Sequence, residues 1–423
     1  MWWILSVACL RSPEPTLDVV DDDILPVASI GEARDEIWSA FLASAPPAED
    51  KAIHSVSWQE HTLRYTLQQR GARPEQGWPV YIALHGGGGA PTAVNDAQWA
   101  SMQGYYLDSV EVGLYVAPRG ISDTWNLHFN EASYALYDTL IEHLVRSEGA
   151  DPDRIYLMGF SAGGDGVYQI TPRMADRFAG AVMSAGHPNG VSAENLYNLP
   201  FLIQMGEQDD AYDRARVAAQ QDAALDALQA AHPGGYVHDL FLHIGGLHNL
   251  HWSDRDPSDA RYPVIADTAA WLEGEAGGER SVDANAVRWL GAHVRDPRPE
   301  RIRWQPGLVA GTRGEDARWW YWVGVEDDPE TWGERVVVSL DRSRNTVVIE
   351  ESGPRLRLRL DESMVDLSVP LRVEVGGASW SVSLEPRRSV LERSLRVWGD
   401  PRRLFVVELV VDRATGVVPA TSG

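Results

Sequence analysis

The chain has 423 residues, of which 44% are hydrophobic and 23% charged, a mixture that excludes a disordered polypeptide and leaves room for more than one folded unit. No apolar stretch is long enough to cross a bilayer, and the single cysteine, Cys9, excludes an intrachain disulfide and a cysteine-based zinc site. The net charge is −24; positions 1–279 hold 15 basic and 39 acidic residues, whereas positions 280–423 hold 22 of each. This change in composition predicts two modules that meet near position 280. Because phosphate binding needs an excess of lysine and arginine, the acidic first module argues against nucleic acid or an anionic membrane surface as a partner.

The chain begins with a short apolar stretch, MWWILSVAC, which ends at Cys9. This stretch is similar to a truncated bacterial lipoprotein signal, in which an acylated Cys9 would tether the protein to a membrane, although it is short and lacks a basic N-terminal region. Residues 1–25 are therefore interpreted as a lipoprotein-type signal and tether, and the cell envelope or the exterior is the expected location. If Cys9 is not processed, the stretch is a frayed terminus and a cytoplasmic location is expected.

The elements predicted between positions 26 and 278 alternate between strands and helices. Helical spacing of apolar residues predicts helices at 31–44, 134–146, 214–231 and 263–273, and an edge hairpin is expected at 55–58 and 61–69. Continuous apolar runs predict six buried strands, at 78–84, 113–117, 154–160, 180–184, 200–205 and 236–243. This alternation implies an α/β fold with a doubly wound, mostly parallel sheet. Because ligands bind beyond the carboxyl ends of such strands, we expect the chemistry to lie in the loops that follow them.

The pattern changes after position 281. Short β-rich runs separated by turn residues occur at 301–304, 319–325, 335–340, 346–351, 356–360, 371–375, 379–384 and 404–411. They predict a small antiparallel β-sandwich as an accessory domain over 281–423, with a tight hairpin turn at Gly376 and Gly377. In the run 319–325, alternation would place Trp320 and Trp322 on one face of a strand and Trp319 on the other. A sugar-stacking platform is one interpretation of these tryptophans, and core packing is the preferred one.

The candidate nucleophile is Ser161, at the centre of the sequence GFSAG at positions 159–163. This motif follows a predicted buried strand and precedes a helix-like stretch, which is the context in which G-x-S-x-G marks a nucleophile. Such a serine lies on a tight turn at the sheet edge, where the N-terminus of the following helix favours developing negative charge.

A glycine run follows the predicted strand 78–84 directly, in the sequence HGGGG at 85–89. Because no side chains intervene, an N–H group of this run can point into a cavity and form an oxyanion hole together with the N–H group of Ala162. Gly87 is the preferred donor and Gly86 the alternative. A flexible turn without this role is the remaining interpretation.

A nucleophilic serine needs a base, and the base needs a carboxylate that orients it. With this type of nucleophile turn, the acid and then the histidine follow the serine along the chain. Asp209 follows the predicted strand 200–205 and is the preferred acid, with Asp210 as the alternative. His248 follows the last predicted strand after a glycine turn and is the preferred base, with His251 as the alternative.

Together these motifs resemble the α/β-hydrolase superfamily, close to the group of polyhydroxybutyrate depolymerases, feruloyl esterases and prolyl-oligopeptidase-like enzymes. The resemblance extends over about positions 80–252, includes the stretch DPDRIY at 151–156, and is accompanied by a β-rich C-terminal part similar to an appendix of hydrolases in that branch. It implies the α/β-hydrolase fold and ester-type serine chemistry. The chain departs from secreted depolymerases of this group, which usually contain cysteine pairs.

Several side chains in the loops after the predicted strands are candidate substrate-binding residues, namely His85, Gly86, Trp125, Asn126, His128 and His187. For Trp125 and Asn126, packing and the capping of a turn are equal alternatives. His187 precedes the candidate acid in the sequence, so it is excluded as the base and kept as a binding residue. Structural roles are preferred for Asp96, Trp99 and Asp165.

The sequence therefore predicts a serine hydrolase that cleaves a small or polymer-borne carboxylic ester through an acyl-enzyme. Esters are favoured over peptides because the chain has no propeller-sized gating domain, and a serine peptidase of the prolyl-oligopeptidase-like type is one alternative. The other is a degenerate hydrolase scaffold whose β-sandwich binds a polysaccharide or a protein partner. No cofactor is expected, and no metal ion, because the histidines and carboxylates at 248–254 have no standard metal-site spacing.

Overall fold

The computed structural model describes residues 23–45, 51–249, 262–308, 317–326 and 333–419. Cys9, most of the predicted signal and tether, and His251 lie outside these residues. Within the described ranges, no helix has the combination of length and apolarity that a membrane span requires.

The first unit is built on a large sheet. In the described part of the chain its strands are β1 (His54–Trp58), β2 (His61–Arg70), β3 (Trp78–Leu84), β4 (Gly113–Pro118), β5 (Ala150–Phe160), β6 (Gly180–Ser184), β7 (Phe201–Gly206), β8 (His238–His243), β9 (Tyr262–Val264) and β10 (Arg280–Val282). Their spatial order is β1-β2-β4-β3-β5-β6-β7-β8-β9-β10. Strands β3 to β8 are parallel, and the hairpin β1–β2 and the strands β9 and β10 add antiparallel edges.

Helices cover both faces of this sheet. In the described part of the chain, the helices of this unit are α1 (Ile30–Ala43), α2 (Thr92–Tyr105), α3 (Glu131–His143), α4 (Ala162–Met174), α5 (Arg214–Ala231), α6 (Thr268–Leu272) and α7 (Ala286–Gly291), whereas α8 (Arg388–Trp398) lies in the second unit. On β3, Val80 and Ile82 belong to a buried cluster that includes residues of α1, α3, α4 and α5, whereas Tyr81 and Ala83 belong to a second cluster that includes residues of α2 and α7. Burial on both faces explains why the parallel strands have almost continuous apolar runs.

The predicted fold class is confirmed for this unit. The six predicted buried strands correspond to β3 to β8, and the predicted edge hairpin corresponds to β1 and β2. The helix predicted at 263–273 is wrong in its first part, because Tyr262–Val264 forms the edge strand β9 and only Thr268–Leu272 is helical. Helix α2 is not predicted from the sequence, because one of its three buried residues is the polar Asn95.

The second unit is a β-sandwich, as predicted. Among the described residues, one sheet contains β11 (Arg301–Trp304), β14 (Val336–Asp341), β15 (Thr346–Glu351), β17 (Leu371–Val375) and β18 (Ala378–Val382), and the other contains β12 (Ala317–Trp320), β13 (Val323–Glu326), β16 (Arg355–Leu360), β19 (Val407–Asp412) and β20 (Gly416–Pro419). The sandwich differs from the predicted antiparallel one because β15 and β17 pair in parallel and helix α8 is inserted before β19. Gly376 and Gly377, with φ values of +56° and +87°, form the predicted turn between β17 and β18.

The tryptophan-rich run is a hairpin rather than one strand. The chain reverses between β12 and β13 at Tyr321, which has a φ value of +56°. The predicted single-strand alternation is therefore wrong. Trp319, Trp320 and Trp322 are at most 1% exposed, which confirms the interpretation as core residues.

The two units share one continuous hydrophobic core, to which both Met174 of α4 and Trp398 of α8 belong. Buried ion pairs reinforce the contact. Arg403 Nη1 lies 2.7 Å from Asp176 Oδ2, and Arg295 Nη2 lies 2.7 Å from Asp153 Oδ1 and 2.6 Å from Asp400 Oδ2. Asp153 is near the start of β5 and Asp176 precedes β6, so the sandwich is attached at the amino ends of the parallel strands.

The module boundaries predicted from the sequence, near positions 25 and 280, do not separate independent parts of the structure. Strand β10 pairs with β9, and α7 packs on the large sheet, so that sheet continues past positions 278–281. Within the predicted tether, the side chain of Asp23 accepts hydrogen bonds from Ser389, and the Leu25 N–H group donates to Pro386 O. Residues 23–25 are thus bonded to the second unit.

One carboxylate between α5 and β8 makes stability depend on pH. Asp222 is 9% exposed, and its Oδ1 lies 3.7 Å from Nε2 of His238 on β8. Burial raises the pKa of Asp222 to about 6, against the partly compensating attraction of His238. The folded state therefore holds a proton that the unfolded state has already lost, and stability falls as the pH rises from about 4 to 6.

We expect Asp222→Asn to stabilise the protein by about 1–2 kcal/mol at pH 8 and to have little effect at pH 4, because the amide removes the buried charge. Urea unfolding at both pH values measures the difference. Asp108→Asn is the control, because Asp108 is exposed. A variant less stable than the wild type at pH 8 would contradict this account.

Candidate active site

Ser161 lies on the sharp turn between β5 and α4. Its φ and ψ values are +59° and −121°, a strained conformation for a residue other than glycine. A Cβ atom at Gly159 would lie 2.3 Å from Gly163 O, and one at Gly163 would lie 2.1 Å from Leu84 O. Both flanking positions must therefore be glycine if the turn is to close against β3. This is the local reason for the G-x-S-x-G pattern.

The structure brings Ser161, Asp209 and His248 together. Nε2 of His248 lies 3.1 Å from Ser161 Oγ, and its Nδ1 lies 2.7 Å from Asp209 Oδ2. Asp209 is 2% exposed, whereas its sequence alternative Asp210 is exposed. A carboxylate that accepts the Nδ1–H bond leaves Nε2 free to accept the serine proton. The three side chains thus have the geometry of a nucleophile, a base and an orienting acid.

The loops that carry the acid and the histidine are bonded to each other. Gln208 N donates to Gly246 O at 2.7 Å, and Glu207 Oε2 accepts from Gly245 N at 2.8 Å. A Cβ atom at Gly206 would lie 2.5 Å from Gly246 O, so glycine is needed where the loops cross. These contacts hold Asp209 and His248 at a fixed separation.

The glycine run after β3 lies beside the nucleophile. Gly87 and Ala162 line the same cleft as Ser161, and within the described residues neither of their N–H groups has a hydrogen-bond partner. Gly87 has a φ value of +108°, which favours glycine. Gly86, the alternative donor, approaches the nucleophile closely, since a Cβ atom at this position would lie 3.3 Å from Ser161 Cβ. The amides of Gly87 and Ala162 are therefore available to a developing oxyanion.

His85 and His128 lie beneath the glycine run, and their interpretation as substrate-binding residues is wrong. Both are 0% exposed, and both ring nitrogens of each are engaged. His85 Nδ1 donates to Gly86 O at 2.6 Å and Nε2 accepts from Gly120 N at 3.0 Å, while His128 contacts His85 O at 2.9 Å and Tyr137 Oη at 3.2 Å. Burial lowers the pKa of His85 to about 4 and lowers that of His128 far below its ordinary value. Both imidazoles are neutral supports of the glycine run.

The cleft above Ser161 has a volume of about 400 Å³. At its rim are Trp125, which is 56% exposed, and Tyr212, which is 80% exposed. Tyr212 and Asp213 both have positive φ values, 58° and 56°, so a strained turn presents the Tyr212 side chain. Trp125 lines the cleft, so a contact with substrate is possible in geometry, and its binding role stays a prediction.

The polar wall of the cleft is formed by Asp165, His187, Asn189 and Arg214. His187 N and Asn189 Nδ2 donate to the carboxylate of Asp165 at 2.7 and 3.0 Å, and burial raises the pKa of Asp165. Arg214 Nη1 lies 3.5 Å from Asp209 Oδ1. His187 therefore remains a candidate binding residue, and Asp165 has the structural role expected from the sequence.

The remaining sequence candidates have structural contacts. Asn126 does not line the cleft and accepts a hydrogen bond from Thr124 Oγ1 at 2.7 Å, which agrees with a turn-capping role. Trp99 Nε1 donates to Ala117 O, and Asp96 pairs with Arg119. Sequence reasoning misses Asn189, Tyr212 and Arg214, because they lie in loops and at a helix start without a motif.

Comparisons with known proteins add only general similarity. No protein-family model matches the chain, and no curated protein matches it. A thermostable esterase is 18% identical with a TM-score of 0.39, and the match covers 58% of this chain and 63%, less than two thirds, of that esterase. XC6422 from Xanthomonas campestris, described as an α/β serine hydrolase without a lid, is 14% identical with a TM-score of 0.35, over 49% of this chain and 89% of its own. Est1E from Butyrivibrio proteoclasticus is 14% identical with a TM-score of 0.33, over 47% and 90%.

The fold is recognised from the arrangement of the chain itself. The parallel sheet, the strand–serine–helix turn and the chain order Ser161, Asp209, His248 are those of the α/β-hydrolase fold. The chain therefore has an α/β-hydrolase fold, as its sequence motifs imply.

Proposed function

We propose that the protein is a serine hydrolase that cleaves carboxylic esters through an acyl-enzyme. The observation that carries this proposal is the chain of contacts from Asp209 Oδ2 through His248 to Ser161 Oγ, at 2.7 and 3.1 Å. Two unpartnered amides on the same cleft provide a site for negative charge. Nucleophile, base and oxyanion donors together are what acyl transfer requires.

The reaction proceeds in two halves. Ser161 Oγ attacks the ester carbonyl carbon while its proton moves to His248 Nε2, and the Gly87 and Ala162 N–H groups stabilise the oxyanion of the tetrahedral intermediate. Collapse of this intermediate breaks the bond to the alcohol, which leaves with the proton from His248. A water molecule, deprotonated by His248, then attacks the acyl-enzyme and releases the carboxylic acid and the free serine.

The alternatives predict different results. A degenerate scaffold is disfavoured because the contacts among Ser161, His248 and Asp209 are complete. A serine peptidase would use the same triad, so only substrate preference separates it from an esterase.

The test is the labelling of the purified full chain with a fluorophosphonate, with the modified peptide mapped by mass spectrometry. We expect a single adduct at Ser161 and a burst of p-nitrophenol from p-nitrophenyl acetate or butyrate. Labelling elsewhere, or no ester turnover across short and medium acyl chains, would overturn the proposal. Faster cleavage of a peptide p-nitroanilide than of any ester would favour the peptidase.

A further inference from the structure

Asn95 of α2 is a buried polar residue that the reaction steps above do not use. It is 0% exposed, and its Oδ1 accepts a hydrogen bond from the N–H group of Gly88 at 2.9 Å. Its Nδ2 donates to Ala90 O at 3.1 Å and to Asp123 Oδ1 at 2.9 Å. Because a buried amide must be satisfied on both sides, these three bonds fix its orientation. Asn95 therefore connects the glycine run after β3 to the loop after β4.

The Asp123 end of this connection is firmly held. Arg119, which is 4% exposed, pairs with Asp123 and donates to Gly120 O at 2.7 Å. Thr92 Oγ1 donates to Asp123 Oδ2 at 2.6 Å. Hydrogen bonds from Thr92, Arg119 and Asn95 lower the pKa of Asp123 to about 2, so its carboxylate is charged at any working pH. Charge-assisted bonds of this kind are stronger than neutral ones.

The contacts control the peptide planes on either side of Gly87. His85 Nδ1 holds the carbonyl oxygen of Gly86, and the N–H group of Gly87 points the opposite way in the same trans peptide. Asn95 holds the next plane through the Gly88 N–H group. A Cβ atom at Gly87 would lie 2.2 Å from Asn95 Oδ1, so the amide side chain packs directly against this residue. Three successive glycines with positive φ values, from Gly87 to Gly89, would otherwise rotate easily.

We propose that Asn95, oriented by the Asp123–Arg119 ion pair, is a positioning residue that keeps the Gly87 N–H group aimed at the oxyanion. This inference rests on the proposed serine-hydrolase function and assigns a role to a contact outside the triad. Donors that are aligned in advance stabilise the transition state without reorganisation, so a loosened loop lowers kcat more than it weakens ground-state binding.

The test compares Asn95→Ala with the wild type on a p-nitrophenyl ester. We expect kcat to fall about 10–100-fold with KM changed less than about threefold, because removing one oxyanion donor outright costs about 10²–10³-fold. Affinity for a trifluoromethyl ketone, which forms a tetrahedral adduct with the serine, should fall by the same factor as kcat/KM. The pH profile of kcat/KM should keep its shape. Ser101→Ala, on an exposed position of the same helix, is the control and should leave all values unchanged.

A second pair of variants protects the test against misfolding. Asp123→Asn changes a surface loop and removes the charge that orients Asn95. It should also lower kcat, by a smaller factor than Asn95→Ala does. Combining Asn95→Asp with Asp123→Asn preserves an acceptor for Gly88 and one amide–carboxylate contact, and should recover part of the loss caused by Asn95→Ala.

The outcomes separate this inference from the proposed function. If the wild type neither turns over esters nor is labelled at Ser161, the proposed function fails. If the wild type is active but Asn95→Ala and Asp123→Asn lower only the melting temperature, or raise KM without lowering kcat, the positioning role is wrong and the serine-hydrolase proposal stands.

Discussion

Replacing Ser161 with alanine is expected to lower kcat on p-nitrophenyl esters by at least about 10³-fold. In the proposed mechanism the Ser161 hydroxyl forms the bond to the carbonyl carbon, so its loss leaves only the oxyanion donors and substrate binding to accelerate the reaction. Asp209→Asn should lose up to about 10⁴-fold, because an amide facing Nδ1 favours the wrong tautomer of His248. Steady-state kinetics of the purified variants, with folding checked by circular dichroism, measures both losses.

In the proposed mechanism the three side chains act together, which allows a second prediction. The double variant Ser161→Ala with Asp209→Asn should be hardly slower than Ser161→Ala alone, since residues of one catalytic set are strongly non-additive. Ser57→Ala, on an exposed position of β1, is the control and should retain wild-type kinetics. An alanine variant at 161 that keeps more than about a tenth of the wild-type rate would identify another nucleophile.

Replacing Arg295 with methionine is expected to destabilise the protein by about 3–5 kcal/mol, because it removes the buried positive charge that pairs with two carboxylates. Arg295 is 6% exposed, and its Nη2 contacts both Asp153 of the first unit and Asp400 of the second at 2.6–2.7 Å. Its Nη1 also donates to Asp176 O at 3.1 Å. One guanidinium thus satisfies acceptors from both units.

Urea denaturation at pH 7 measures this loss. Arg280→Met is the matched control, since its pair with Asp239 is 3.0 Å long but 45% and 34% exposed, and such pairs contribute at most about 1 kcal/mol. We expect a single unfolding transition for both variants, because the units share a core. Equal midpoints for the two variants would show that the buried pairs do not hold the units together.

The sequence predicts which side chains meet at Ser161, because each part of this arrangement has a local cause. The turn at Ser161 needs glycine at 159 and 163 for lack of space, and this leaves a motif. Asp209 and His248 lie in the loops after β7 and β8, whose apolar residues identify them as strands and so locate their carboxyl ends. The chain order then decides between the remaining acids and histidines.

What the sequence does not reveal depends on contacts between distant segments. Nothing local distinguishes His85 and His128 as buried supports rather than binding residues, because their burial comes from packing between β3, β4 and α3. Asn95 is missed because α2 itself is not predicted, and nothing local marks this polar side chain as buried. The parallel pairing of β15 with β17 is missed because turn patterns report hairpins but not the register of non-consecutive strands.

The buried attachment between the two units has a consequence for dissection and engineering of this protein. Arg295 is buried between the two units and pairs with a carboxylate of each. We therefore expect that the C-terminal sandwich cannot be removed or exchanged without destabilising the first unit. The sandwich contacts the amino ends of the parallel strands, whereas the cleft lies at their carboxyl ends. A new loop grafted onto the outer turns of the sandwich would therefore change the surface far from the cleft without obstructing substrate entry.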